Sequence, residues 1–253
     1  MKKTHSYWHL IIGGSKGIGK SIAKELLNKG ENVIIVSRNS KSITCNTFCE
    51  DSNILLLNYD MSEIDSGFKI KDFLISNNIQ IKSLVNCLPG SQSNRIEDFE
   101  KKHLISAIES KLYPYIHMVL LLKDSFWGSG SVVNIIGTNW KHPDSNMFIN
   151  SMVNSAIVNA TKNLVVELAE YNVVINNIHP GFVKTERFGM YIEHHSRINN
   201  LTEDETINII KNKIPLKQIG KTEELAKLAV FLIESKYITG QNINFDGSYN
   251  NSL

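Results

Sequence analysis

The stretch HLIIGGSKGIGKSIAKELLN, residues 9–28, decides the fold. Leu10, Ile11 and Ile12 continue an apolar run that reads as a first strand, and the glycines after Ile12 stop it. From Gly17 on, Ile18, Ile22 and Leu26 recur at helical spacing. Between strand and helix lies Gly13-Gly14-Ser15-Lys16-Gly17-Ile18-Gly19. Residues without a Cβ let the chain turn tightly here and let the free N–H groups of the helix start approach a pyrophosphate. A glycine-rich turn alone would say little. A strand before it and a helix after it make it a dinucleotide-binding turn.

Working outward, apolar runs at 9–12, 33–36, 54–57, 84–85, 132–136, 173–178 and 243–245 read as seven strands. Helical spacing occupies the intervals at 17–28, 68–75, 99–122, 147–169, 202–212 and 225–233, the last with Thr222-Glu223-Glu224 as its N-cap. Strands that are apolar throughout, each followed by a helix, belong to a parallel sheet covered on both faces. The expected fold is therefore α/β: a doubly wound, Rossmann-type, seven-stranded parallel sheet in a three-layer sandwich. No linker, repeat or composition shift divides it, so 1–253 reads as a single domain.

Composition agrees. The chain has 253 residues, 42% apolar and 21% charged, which is enough to bury a core without disulfides or metals. Its net charge of +2 and lack of a basic block predict no nucleic-acid partner. No apolar run reaches a membrane-spanning length, so no membrane partner is expected. Three cysteines, Cys45, Cys49 and Cys87, read as free thiols of a cytoplasmic protein, and no metal site is expected at His194-His195 or Cys45-x3-Cys49. Asparagine occurs 28 times, so an Asn at any one position says little by itself.

The G-x-x-x-G-x-G turn resembles that of the short-chain dehydrogenase/reductase superfamily, and the resemblance runs from about Trp8 to Gly247. Asp60-Met61 after the third strand matches the family's adenine-side acidic position. Asn86-Cys87-Leu88-Pro89-Gly90 stands where the family has Asn-Asn-Ala-Gly. Pro180-Gly181-Phe182-Val183-Lys184-Thr185 is similar to the segment that holds the nicotinamide, and Thr239-Gly240-Gln241 with Asp246-Gly247 matches the C-terminal signature. The resemblance implies that Gly13, Ser15, Lys16, Gly17, Ile18, Gly19, Arg38, Asp60, Met61, Asn86, Leu88, Pro180, Gly181, Val183 and Thr185 bind the cofactor. The second strand ends Val36-Ser37-Arg38-Asn39 without a carboxylate to take a ribose hydroxyl. Arg38 and Lys16 suit a 2′-phosphate, and NADP(H) is the expected cofactor.

The catalytic end departs from the family. Members use Asn, Ser, Tyr and Lys, with Tyr-x-x-x-Lys one helical turn apart; the phenol moves the proton and the lysine lowers its pKa. No Tyr-x-x-x-Lys occurs in this sequence. The resemblance places Asn150 and Asn154 at the Tyr and Lys positions, Gly137 with Thr138 beside it at the Ser position, and Lys111 at the Asn position. An amide does not titrate near neutral pH, so Asn150 cannot replace the phenol as an acid. Two readings stay open. In one the site has decayed, leaving a binding protein, either a sensor or an assembly partner. In the other it has been rebuilt around Lys111 and Thr138, with Asn150 and Asn154 orienting ligands, in an oxidoreductase acting on a small-molecule carbonyl or alcohol. A third function keeps the fold for non-redox chemistry. Tyr113 and Tyr115 read as packing residues, His142 as a surface loop histidine, and 188–201 as a loop covering the substrate. The surplus apolar surface of 99–122 and 147–169 predicts a homo-oligomer, a dimer or a tetramer.

Overall fold

Seven strands form one sheet: β1 (Tyr7–Ile12), β2 (Val33–Ser37), β3 (Ile54–Asn58), β4 (Gln80–Asn86), β5 (Phe126–Ile135), β6 (Val173–Pro180) and β7 (Asn242–Phe245). The order across the sheet is β3-β2-β1-β4-β5-β6-β7, and every neighbouring pair is parallel. The computed structural model describes residues 7–38, 53–90 and 95–250; Asn39, Cys45 and Cys49 lie outside them.

Alternation along the strands sends side chains to two cores. On one face Ile11, Ile35, Val85 and Val133 meet α1 (Gly17–Asn28) through Ile22 and Leu26, and α8 (Thr222–Glu234) through Leu225 and Ala229. On the other, Leu10, Ile34, Leu84 and Val132 meet α2 (Ser66–Ser76), α4 (Tyr113–Leu122) and α5 (Phe148–Ala169) through Ile70, Met118 and Leu168. Both faces are covered, which gives the three layers. Strand order reverses between β1 and β4, so their carboxyl ends open a crevice where such sheets bind ligands.

Three elements differ from the sequence reading. The stretch 99–122 is not one regular helix: α3 (Lys101–Ala107) passes into a π-helical turn at Ile108–Leu112 before α4. Pro114 accounts for the break, because it has no N–H for the carbonyl of Ser110 and its ring crowds that turn. The expected covering loop at 188–201 is instead a helix, α6 (Glu186–Asn199), followed by α7 (Glu203–Lys213) where a helix was expected at 202–212. Thr185 caps α6 by accepting from the Phe188 N–H at 3.1 Å, and α6 ends where Asn200 turns left-handed at φ +52°. Thr202 and Glu205 form a capping box at the start of α7. Thr222, expected as an N-cap, is the first helical residue of α8; Lys221 precedes it and caps nothing with its side chain.

Candidate active site

The glycine turn is seated against the end of β4. Gly13 has φ +84°, and a Cβ there would come within 2.4 Å of the Cys87 carbonyl oxygen. At Gly19 a Cβ would fall 2.4 Å from the Gly13 carbonyl oxygen, so α1 can start this close to the turn only on glycine. Gly17, at φ +53°, opens the helix, and Ile18 anchors it in the first core. The start of α1 has neither a side-chain cap nor an acidic residue in its first turn. These unclaimed N–H groups, in a turn stripped of Cβ atoms, fit the pyrophosphate of a dinucleotide.

Of the other expected cofactor residues, Thr185 is in contact with this turn. Thr185 lies over it, its methyl 3.4 Å from where a Gly17 Cβ would stand. Val183 is buried in the first core, and the Gly181 N–H donates to Phe245 O at 3.0 Å, which fixes the Pro180–Thr185 segment to β7. Ser15 is half-buried, and Arg38 is exposed in the turn directly after β2. Lys16, expected at a phosphate, lies 3.4 Å from Glu186, with both side chains more than half exposed (70% and 63%); so weak a surface pair leaves the ammonium free to exchange partners. Asp60 Oδ1 accepts from the Ser62 N–H at 3.0 Å and from the Ser62 hydroxyl at 2.8 Å, so this carboxylate also shapes its own turn. Met61 is buried in the second core, and Leu88 is half-buried against it.

At the catalytic end the fold brings together Lys111, Asn154 and Gly137, which are far apart in sequence. Lys111 rides on the π-helical turn, is 4% exposed, and donates from Nζ to Asn154 Oδ1 at 2.8 Å. The Asn154 amide in turn donates to Asn139 Oδ1 and, at 3.4 Å, to the Gly137 carbonyl. Burial, reinforced by the nearby Arg187 guanidinium and only partly opposed by Cys87, pulls the Lys111 ammonium down to about 8. Asn150 is also buried, one turn before Asn154, and its Oδ1 approaches Gly90 so closely that a Cβ there would come to 2.4 Å. Thr138 begins a short 3-10 turn, half-buried, and makes no side-chain hydrogen bond among the described residues. Sequence reasoning passed over Asn139 and Arg187, and gave Gly90 only as the end of the Asn86-Cys87-Leu88-Pro89-Gly90 run. Pro114 was the available signal that Lys111 stands on distorted helix.

The remaining candidates have settled structural roles. Tyr115 is buried and donates its hydroxyl to Ile135 O at 2.7 Å, with Lys111 Nζ 5.7 Å from its ring centroid. Burial pushes its phenol well above the ordinary tyrosine range. Tyr113 stacks on His117. His142, expected at the surface, is half-buried, and its Nε2 is shielded and unpartnered. Among the described residues no three His, Cys, Asp or Glu converge to hold a metal, and no helix is long and apolar enough to cross a membrane.

Asparagine also forms a chain through the sheet below the site. Asn86, Asn134, Asn177 and Asn242 are register partners on β4, β5, β6 and β7. Asn86 donates to Asn134 at 2.9 Å, Asn134 to Asn177 at 3.1 Å, and Asn177 to Asn242 at 2.9 Å. His179 Nε2 closes the chain on Asn242 Oδ1 at 3.0 Å. These amide-to-amide bonds tie the strand ends that carry the site together, with the buried Asn86 Oδ1 left without a partner at one end.

Fold and glycine turn together define a doubly wound, Rossmann-type dinucleotide-binding domain. Residues 13–250 match the family described as enoyl-(acyl carrier protein) reductase. The chain is 32% identical to the NADPH-dependent reductase BacG of Bacillus subtilis (strain 168), over 96% of this chain and 97% of that one. It is 30% identical to carbonyl reductase family member 4 of Xenopus laevis, over 94% and 95%. Among solved structures, YwfH, an NADPH-dependent reductase involved in bacilysin biosynthesis, superposes with a TM-score of 0.89 at 30% identity, over 98% of this chain and 100% of that one. The protein belongs to this enoyl-(acyl carrier protein) reductase family of the short-chain dehydrogenase/reductase superfamily.

Proposed function

We propose that the protein is an NADP(H)-dependent oxidoreductase that interconverts a carbonyl and an alcohol on a small molecule, with Lys111 as the proton donor. The observation that carries this reading is the buried 2.8 Å bond from Lys111 Nζ to Asn154 Oδ1. It aims a cation from the Asn position of the family toward the Lys position. The NADPH dependence of BacG and YwfH, and Arg38 after β2, support the cofactor. NADPH, when bound, supplies the hydride. As negative charge develops on the substrate oxygen, the Lys111 ammonium, with a pKa of about 8, stabilises it and hands over a proton. Asn154 holds the ammonium in place, and Asn150 is buried one turn earlier on the same helix. The Thr138 hydroxyl, not spent on any described residue, offers the substrate oxygen a second donor.

The test follows NADPH consumption with a panel of ketones, wild type against Lys111→Ala. Turnover that falls at least about 100-fold with NADPH affinity retained supports the reading, this being the usual size of an acid–base contribution. Unchanged turnover in the variant refutes it. NADPH binding without turnover in the wild type leaves a binding protein with a decayed site. We further propose a cytoplasmic homo-oligomer formed through α4 and α5. Exposed Leu120 and Val166 (42% and 75%) on those helices support it, and a monomer in light scattering would refute it.

A further inference from the structure

Lys111 meets a single amide, and the way round that this amide sits is set by a residue on another element. An ammonium has donors and no acceptor, so the Asn154 atom it meets at 2.8 Å must be the carbonyl oxygen Oδ1. The other end of the amide, Nδ2, then needs an acceptor elsewhere. Two are in reach: Asn139 Oδ1 and, at a longer 3.4 Å, the Gly137 carbonyl oxygen. Asn154 is 3% exposed, so leaving its Nδ2 unpaired would carry the cost of a buried donor. Asn139 Oδ1 is the closer of the two acceptors that orient Asn154.

The surroundings are built around that contact. Asn139 is the middle residue of the 3-10 turn Thr138–Trp140. That turn is pinned from the position next to Asn154, where the Ser155 hydroxyl of α5 donates to Trp140 O at 2.9 Å. Trp140 also lies against His179 of β6, their ring centroids 5.0 Å apart. Gly137, at the position where the family has Ser, leaves the contact room. A Cβ there would stand 3.2 Å from Asn154 Nδ2 and 3.3 Å from Asn139 Oδ1, crowding both partners of the bond.

We propose that Asn139 is a positioning residue for the proton donor: by holding Asn154 Nδ2 it turns Asn154 Oδ1 toward the Lys111 ammonium. This inference rests on the reductase reading above and adds to it the residue that aims the donor. Asn139 acts through Asn154. Without it the amide keeps only the longer bond to Gly137 and is free to turn its Nδ2 toward the ammonium, which repels it. Lys111 then loses the fixed acceptor that favours its charged form, and with it the aim of its proton.

The test follows the Lys111 titration by NMR of protein labelled with 13C at lysine Cε; the resonance missing from Lys111→Met is that of Lys111. Burial keeps neighbouring groups out of this titration. It pushes the Cys87 thiol up to about 12 and the Tyr115 phenol well above its ordinary range, and holds His179 below its ordinary value. The Arg187 guanidinium stays charged throughout. Asn139→Ala and Gly137→Ala should each lower the Lys111 pKa by about one unit, the size expected when a charged donor loses its acceptor. With a ketone substrate and NADPH, kcat should fall at least about tenfold in both while the KM for NADPH stays within about threefold. Asn139→Asp keeps an acceptor oxygen for Asn154 and adds a negative charge, so it should restore kcat to within about threefold and raise the Lys111 pKa above that of the wild type. A Lys111 titration unmoved in all three variants overturns the proposal. So does a loss of kcat in Asn139→Asp as large as in Asn139→Ala, which would make the residue structural only. Titrations that move as expected, in a protein that consumes no NADPH with any ketone, would uphold the positioning role and count against the reductase reading alone.

Discussion

Replacing Lys111 by Met should make the protein more stable, and the gain should vanish in alkali. The ammonium is 4% exposed, and its pKa falls from 10.5 to about 8 on folding, burial being the main cause. At 1.36 kcal/mol per pH unit, that displacement is a penalty of about 3 kcal/mol on the folded state. Methionine fills a similar volume without charge, but it leaves the Asn154 carbonyl oxygen without its donor, which costs about 1 kcal/mol. The net expectation is about 2 kcal/mol of added stability at pH 7, or a Tm higher by about 4–8 °C for a domain of this size. The sign follows from proton counting. Below pH 8 both folded and unfolded chains hold the proton, so the full penalty applies to the wild type. Between about 8 and 10.5 the unfolded chain binds more protons than the folded one, so wild-type stability rises with pH toward that of the variant. Urea unfolding of both proteins at pH 7 and pH 10 measures this. A variant less stable than the wild type at pH 7, or an advantage as large at pH 10, would refute a buried, depressed ammonium.

Gly13→Ala forces a Cβ to within 2.4 Å of the Cys87 carbonyl at φ +84°, so NADPH affinity should fall at least about tenfold in fluorescence titration, with stability lowered by about 1–3 kcal/mol. Asn134→Leu removes the middle of the amide chain and strands the buried Asn86 amide, while Asn177 keeps Thr161 and Asn242; urea unfolding should show a loss of about 1–3 kcal/mol. Arg38→Ala should raise the KM for NADPH about tenfold or more and leave that for NADH nearly unchanged, since only the former carries a 2′-phosphate.

Much of the frame was legible because local chemistry sufficed. The strand starting at β1, the glycine turn and α1 each follow from residues adjacent in the chain, and the seven apolar runs became seven parallel strands. The absence of a Tyr-x-x-x-Lys pattern could likewise be read along the chain, whereas the placing of Asn150 and Asn154 at those positions is what the family resemblance implies. The interior of the 99–122 segment could not be read from periodicity, because an apolar repeat does not reveal where Pro114 opens a helical turn. The covering segment was misread because α6 is mostly polar and packs through a few residues, among them Ile192.

The excess of asparagine marks where sequence stops and structure begins. The sequence by itself determines the sheet, the turn that can hold a dinucleotide, and the absence of Tyr-x-x-x-Lys, since propensity, periodicity and backbone sterics act over a few neighbouring residues. It cannot tell a surface amide from a structural one. Only tertiary structure decided that four of the asparagines are register partners joined across β4 to β7, and that Asn154 receives Lys111 from a residue 43 positions away. Those assignments depend on strand register, on burial and on the direction in which one distorted turn points an ammonium. All three arise when distant segments pack together, and so no short stretch of this chain contains them.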